Sequence, residues 1–331
     1  MKKFSWKTTK KPYVALAPMA GYTDSAFRQI IKEIAPPVIC ITELISADGL
    51  AYGSRKSKEM LNFRDSERPQ ILQLFGKHIE QFKEAVKMAE DSGFDGVDIN
   101  MGCPARKVVN SMHGSALIKT PDLAFQIVET CVKNTKLPVS VKTRLGWADD
   151  STLDDFCLGI ENAGAQMITI HGRTTKQAFD GVADWEPIYR IKEKLSIPVT
   201  GNGDIKSAED AVAKLGNLDG VMVGRALFGN PWLMGEVCVA LKVCKAKDVL
   251  PRPKNFDELK KFILHHLALS IEMLGPKKGI LDMRKTMAAY IKGLPGAAEM
   301  RSRLVRAESE EDIKKILGNM EKGIISSARC F

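Results

Sequence analysis

The sequence predicts an α/β chain: a (β/α)8 barrel followed by a small, basic α-helical bundle. Three observations predict it. Eight short β-branched apolar runs alternate with longer segments of helical period. Together these units fill about 230 residues, the usual size of such a barrel. Beyond Leu241 the strand signal stops, while helical periodicity continues and positive charge accumulates.

The eight runs are Tyr13–Ala17, Val38–Thr42, Gln70–Phe75, Gly96–Asn100, Val139–Thr143, Met167–His171, Val199–Asn202 and Gly220–Val223. Helices are expected between them. Ile79–Ser92 places Phe82, Ala85, Val86 and Ala89 on one face. Pro121–Lys133 has proline in its first turn and Thr120 as an expected cap. Ser207–Leu215 opens on a serine with Asp210 three residues on, a capping pattern. A doubly wound sheet is the alternative, but Pro18-Met19-Ala20-Gly21 after the first run is not the glycine-rich turn it needs. Pro251 and Pro253 mark a linker. Helices are then expected over Asn255–Leu274, Lys277–Lys292, Ala297–Ala307 and Glu310–Lys322, punctuated by Gly275-Pro276, Gly293-Leu294-Pro295-Gly296 and Ser309. The domains expected are a barrel over 1–245 and a helical unit over 246–331.

Composition narrows the function classes. No apolar run approaches the length that spans a bilayer, and the basic Met1–Lys11 segment leads into an apolar run broken by Pro18 and Gly21. A soluble, cytoplasmic protein is expected. Seven cysteines, an odd number, include no Cys-x-x-Cys pair, so neither a disulfide framework nor a metal site is expected. The chain carries a net charge of +9, and residues 241–331 hold 19 Lys and Arg against 11 Asp and Glu. That confined excess points to a polyanion-binding module, the alternative being a solvated helical surface.

Barrel active sites form where the strands end, because the βα loops converge there. Reading each run's end gives Pro18 and Met19, Glu43, Gln73, Asn100 and Cys103, Lys142 and Arg144, His171 and Arg173, Asn202 and Asp204, and Gly224 and Arg225. Gly201-Asn202-Gly203-Asp204 and Gly224-Arg225 follow the last two strands, where many barrels hold a phosphate with backbone N–H groups and a cation. A buried Lys142 is costly without an anionic or polar partner. That partner is either a structural carboxylate, Glu43 or Asp98, or a bound anion such as a reduced flavin. His171 taken alone reads more often as a satisfied core histidine.

The segment Asp98-Ile99-Asn100-Met101-Gly102-Cys103-Pro104 resembles the signature of the tRNA-dihydrouridine synthases. Ala17-Pro18-Met19-Ala20-Gly21-Tyr22-Thr23-Asp24, Gln70–Gly76, Val141–Arg144, Ile170–Thr174, Gly201–Ile205 and Val223–Ala226 resemble further family motifs in order and spacing. In the tail, Met283-Arg284-Lys285, Tyr290, Lys292-Gly293 and Pro295–Ala298 are similar to the family's helical tRNA-binding domain. The wording after Cys103 is most similar to the bacterial B-type branch. The resemblance implies FMN as cofactor, NADPH as reductant, tRNA as partner, D-loop uridines as target and a monomer. It implies FMN contacts from Pro18, Met19, Ala20, Gln73, Lys142, His171, Asn202, Gly203, Asp204, Gly224 and Arg225. It implies Cys103 as proton donor, and Asn100, Arg144, Arg173, Arg284 and Lys285 on the substrate. Two stretches depart from the family pattern. Val109-Asn110-Ser111 stand where Asn, Arg and Lys are frequent, and Thr175 where Arg is. Both bear on which uridine is chosen.

The chemistry suits these residue types. Reducing a uridine C5=C6 bond needs a hydride at C6, which a flavin supplies, and a proton at C5 from a positioned acid. An ordinary thiol keeps its proton at neutral pH and can donate it. Competing readings are a flavin barrel acting on a free pyrimidine, a non-catalytic RNA-binding barrel, and an aldolase with Lys142 as Schiff base. The basic tail disfavours the first. Cys103, Lys142 and Asn202 together disfavour the second.

Overall fold

The computed structural model describes residues 3–324; Cys330 and the C-terminal end of the expected helical unit lie outside the described residues. Among the described residues, nine parallel strands form one sheet: β1 Tyr13–Leu16, β2 Cys40–Ile41, β3 Ile45–Ser46, β4 Gln70–Phe75, β5 Gly96–Asn100, β6 Val139–Arg144, β7 Met167–His171, β8 Val199–Asn202 and β9 Gly220–Val223. Their order is β1-β9-β8-β7-β6-β5-β4-β2, with β3 also on β4. Ala15 and Ile39 bridge the remaining gap, with Leu16 N–H on the Ile39 carbonyl and Ile39 N–H on that of Val14, both at 3.0 Å. The sheet therefore closes into the expected eight-stranded barrel. Almost every strand residue is buried, as helices cover one face and side chains fill the other.

The second run is realised in two pieces. Strand bonding ends at Thr42, whose N–H donates to Ile71. Glu43 then accepts the Gly21 N–H, and the chain rejoins β4 only at Ile45. The barrel interior towards the strand starts is filled by Tyr13, Ala15, Ile39, Ile41, Ile71, Met167 and Met222. Trp6, fully buried, joins this cluster from the segment before β1, its ring 5.7 Å from that of Tyr13.

The helices fall where periodicity put them. Ile79–Asp91 buries Phe82, Ala85, Val86 and Ala89. Ala208–Leu215 is capped by Ser207, whose hydroxyl accepts from Asp210 N–H while the Asp210 carboxylate accepts from Ser207 N–H. Pro121–Asn134 differs: Thr120 makes no capping bond and its hydroxyl is buried without a partner, so the proline start serves instead. The short helices Ala47–Ala51, Arg55–Glu59 and Arg106–Asn110 were not anticipated, since five residues are too few to show a helical period.

Among the described residues, four helices follow the linker: Phe256–Leu274, Pro276–Tyr290, Ala297–Leu304 and Glu310–Ile324. They share one contiguous apolar core with the barrel's outer layer. Phe262 packs between Trp232 and Tyr290, with ring centroids 4.6 and 5.5 Å away. His266 packs 6.0 Å from Phe27 of the barrel helix Ser25–Ile34 and bonds the Tyr290 hydroxyl at 2.9 Å. Among the described residues, no helix is long and apolar enough to cross a membrane.

Candidate active site

A cavity of about 850 Å³ opens at the C-terminal ends of the strands, a size that suits a nucleotide-scale ligand. Pro18, Met19 and Ala20 line it from the β1 loop, and Asn100 and Cys103 from β5 and its loop. Lys142 and Arg144 line it from β6, His171 and Arg173 from β7, Asn202, Gly203 and Asp204 from β8, and Gly224 and Arg225 from the end of β9. Parallel strands of matched register bring these positions to one level: Asn100 pairs with Lys142, Arg144 with His171, and His171 with Asn202.

Three expected residues are not among the lining ones. Gln73 is fully buried behind Asn100, its amide spent on Asp98 and Asn100. Arg284 donates twice to the Ala307 carbonyl, at 2.9 and 2.7 Å, and so ties its helix to the segment between the last two tail helices. Lys285 bonds the Gly21 carbonyl and lies 4.0 Å over the Tyr22 ring, which itself lines the cavity. The sequence reading did not single out Tyr22 or Phe179. Phe179, 54% exposed, stands at the cavity with the guanidinium carbons of Arg144 and Arg225 5.6 and 5.4 Å from its ring. Tyr22 lies inside the Ala17–Asp24 motif, which gave it no role of its own; Phe179 lies at no strand end and in no motif, so the sequence carried no signal for it.

Cations dominate one side. Lys142 Nζ donates to Asn202 Oδ1 at 3.1 Å, and Asn202 Nδ2 donates to the Met222 carbonyl at 2.8 Å. Neither Glu43 nor Asp98 bonds Lys142 among the described residues; Asp98 is taken up by Gln73 and Ser140. Burial, and then the charge of Arg144, lowers the Lys142 ammonium to about 8. His171 is held neutral far below its ordinary value by burial and by the surrounding cations, Lys142 foremost. Its Nε2 faces an Arg173 N–H at 3.4 Å; arginine only donates, so Nε2 accepts and the ring proton sits on Nδ1.

Asp204 organises the phosphate-type loops. Burial works against its charge, but the Ala183 N–H at 2.8 Å and Arg173 at 2.7 Å hold the carboxyl below its ordinary range. Arg225 lies 3.5 Å from its other oxygen. Gly203 has φ of +126°, and a Cβ there would come within 2.7 Å of Ala183 Cβ, so only glycine fits. The N–H groups of Gly203, Asp204, Gly224 and Arg225 find no acceptor among the described residues. Free N–H groups beside the half-buried Lys142 and beside Arg225 can cradle an anion.

Cys103 is half-buried and lines the same cavity, near enough to Lys142 and Arg144 to act on their charges. Asn100 Oδ1 accepts its N–H at 2.9 Å, and its carbonyl accepts Ser115 N–H and Oγ at 3.1 and 2.9 Å. Gly114 (φ +59°) packs so closely that a Cβ would stand 2.9 Å from the Cys103 carbonyl. The thiol is thus presented by a backbone held from both ends. Arg144 ties this loop to the one after β7, donating to the carbonyls of Gly102 in the first and Thr174 and Ala178 in the second, at 2.6, 2.9 and 2.7 Å. Among the described residues, no three His, Cys, Asp or Glu side chains are grouped to hold a metal.

This is the architecture of a (β/α)8 enzyme whose cavity is lined by cationic side chains, free backbone N–H groups and, among the described residues, a single cysteine. The same fold occurs in the histamine dehydrogenase from Rhizobium sp. 4-9, with a TM-score of 0.53 and 14% identity over 79% of this chain and 49% of that one. The family model for dihydrouridine synthase matches residues 15–326, and the chain belongs to that family of oxidoreductases. A probable tRNA-dihydrouridine synthase of Rickettsia bellii is 40% identical over 294 residues, covering 87% of this chain and 88% of the relative. The tRNA-dihydrouridine synthase B of Xanthomonas campestris is 36% identical over 306 residues, covering 92% and 91%. The resemblance to the B-type branch is borne out by such relatives.

Proposed function

We propose that this chain reduces the C5=C6 bond of specific D-loop uridines in tRNA to dihydrouridine, using FMN and NADPH. The observation that carries the reading is that one cavity holds both the anion cradle and the rigidly held Cys103. The cradle fits FMN: free N–H groups and Arg225 suit its phosphate, while Lys142 beside Asn202 suits an electron-rich ring edge. Neutral His171 adds an N–H donor without adding charge. FMN held there would supply hydride chemistry toward C6, with NADPH as the source of the electrons. Cys103 donates the proton to C5 from the other side of the base. It acts as an acid, so it needs no base beside it. Pro18, Met19 and Ala20 offer an apolar and backbone surface to the ring, and Asn100 and Arg173 line the same space for the uracil.

The base must leave its stack, at a cost of roughly a few kcal/mol. Exposed Lys277, Lys278, Lys292, Arg301, Arg303 and Arg306 on the tail can offset that cost by gripping the phosphate backbone. Lys285 approaches the cavity through Tyr22 and would meet the substrate near its mouth.

The test is the visible spectrum of the purified protein through a cycle. Flavin bands should bleach with NADPH and return anaerobically only on adding unmodified tRNA. Cys103→Ala should bleach normally yet lose at least about a hundredfold in the tRNA step, the usual scale of a general acid. A colourless protein that cannot be reconstituted with FMN would overturn the reading, as would full tRNA turnover by the cysteine variant.

A further inference from the structure

Behind the cysteine loop runs a chain of buried polar side chains, of which the reaction outlined above uses only Asn100, as part of the cavity wall. Ser140 Oγ donates to Asp98 Oδ1 at 2.7 Å, and Gln73 Nε2 donates to Asp98 Oδ2 at 2.8 Å. Asn100 Nδ2 donates to Gln73 Oε1 at 2.8 Å. Asn100 Oδ1 then accepts the N–H groups of Gly102 and Cys103, at 3.2 and 2.9 Å. Asp98 and Gln73 are wholly buried, and Asn100 is 6% exposed. Sheet register creates the chain, because Gln73 pairs with Asp98 and Asp98 with Ser140.

The direction of this chain is fixed at both ends. A carboxylate only accepts, so Gln73 must turn its NH₂ to Asp98. Backbone N–H groups only donate, so Asn100 must turn its oxygen to Gly102 and Cys103. The two amides therefore meet head to tail, and flipping either one breaks the bonds on both of its sides. In a buried setting each broken bond leaves polar atoms with neither partner nor water.

We propose that Asp98 and Gln73 are positioning residues for Cys103: they lock the Asn100 amide, which in turn locks the backbone that presents the thiol. The inference rests on the reading of Cys103 as the proton donor. What the relay needs from residue 98 is an acceptor, not a charge. Burial raises the Asp98 carboxyl to about 6, so it can gain a proton in mild acid, with Lys142 as the cation opposing this. A proton on Oδ1 leaves Oδ2 free for Gln73, provided Ser140 turns its own proton to the Val97 carbonyl, 3.3 Å away. Asparagine at position 98 can do the same, with its oxygen to Gln73 and its NH₂ to Ser140. Alanine cannot.

The experiment uses the full chain reconstituted with FMN, comparing Asp98→Ala and Asp98→Asn with the parent. Two rates are read: flavin reoxidation by unmodified tRNA in a single anaerobic turnover, and alkylation of Cys103 by iodoacetamide, followed by peptide mass. Asp98→Ala should slow the tRNA step and speed alkylation, each by about tenfold, the equivalent of one lost buried hydrogen bond. Flavin reduction by NADPH should be unchanged. Asp98→Asn should restore both rates. An alanine variant with a normal tRNA step overturns the proposal, whatever its alkylation rate. An asparagine variant as slow as the alanine one also overturns it, since charge facing Lys142 would then be the active element. If Asp98→Ala does not fold, Gln73→Met, of nearly equal shape but without hydrogen bonds, should speed alkylation alike; a parent-like alkylation rate there counts against the relay. Cys103→Ala tests the parent reading separately: full uridine reduction there removes the acid role, while the alkylation arm still measures the loop.

Discussion

Lys142 shows what the site costs the fold. Its ammonium is lowered to about 8 from an ordinary 10.5, first by burial and then by Arg144. Between those values the unfolded chain binds more protons than the folded one, so stability rises with pH through that window. Below it the penalty is present in full. Lys142→Met should therefore stabilise the flavin-free protein at pH 7 by on the order of 3 kcal/mol, read from the urea midpoint, while weakening FMN binding. A loss of stability would mean that the Asn202 bond outweighs desolvation. The residue types at the strand ends were legible in the sequence, since Pro18, Asn100, Cys103, Lys142, His171 and Asn202 all line the cavity. Gln73 was not legible in the same way. Its position at a strand end said nothing of whether its amide faced the cavity or the interior, and in the fold it faces Asp98.

Among the elements, helix starts and tail helices were readable because capping and periodicity are local. Ser207→Ala removes one half of a reciprocal cap and should lower the urea midpoint by the equivalent of about 1 kcal/mol. The helix Ala297–Leu304 and the turn after it expose Arg301, Arg303 and Arg306. Replacing all three with alanine should weaken tRNA binding and flatten its salt dependence by about 2 to 3 in log–log slope, measured by binding titrations over a range of salt. An unchanged slope would move the RNA to another face. The split of the second strand into β2 and β3 was not readable, because it depends on Glu43 reaching Gly21 from a different loop.

Taken whole, the barrel and the tail are joined by apolar packing, with His266 at the junction between Phe27 and Tyr290. Burial lowers this imidazole to about 3. Between about 3 and its ordinary 6.5 the unfolded chain binds the extra proton, so stability rises with pH there and is lost on acidification. At pH 5 the loss relative to pH 7 should reach about 2 kcal/mol, and His266→Gln should remove that component. Circular dichroism in urea at the two pH values reads it directly. Equal slopes in parent and variant would assign the acid sensitivity to other groups.

By itself the sequence determined the alternation of strand and helix, the change of character after Leu241, the basic tail and the residue types at the strand ends. These depend on chain-local properties: periodicity, propensity, charge count and motif spacing. Only the tertiary structure decided how those residues share their hydrogen bonds. Closure of the barrel sets Asn202 against Lys142, Asp98 against Gln73, and Asn100 against the Cys103 backbone. It also buries Phe262 and His266 in a core common to barrel and tail. Such pairings join residues far apart along the chain, and whether a buried polar group is oriented by protein or left for a ligand follows from packing in three dimensions.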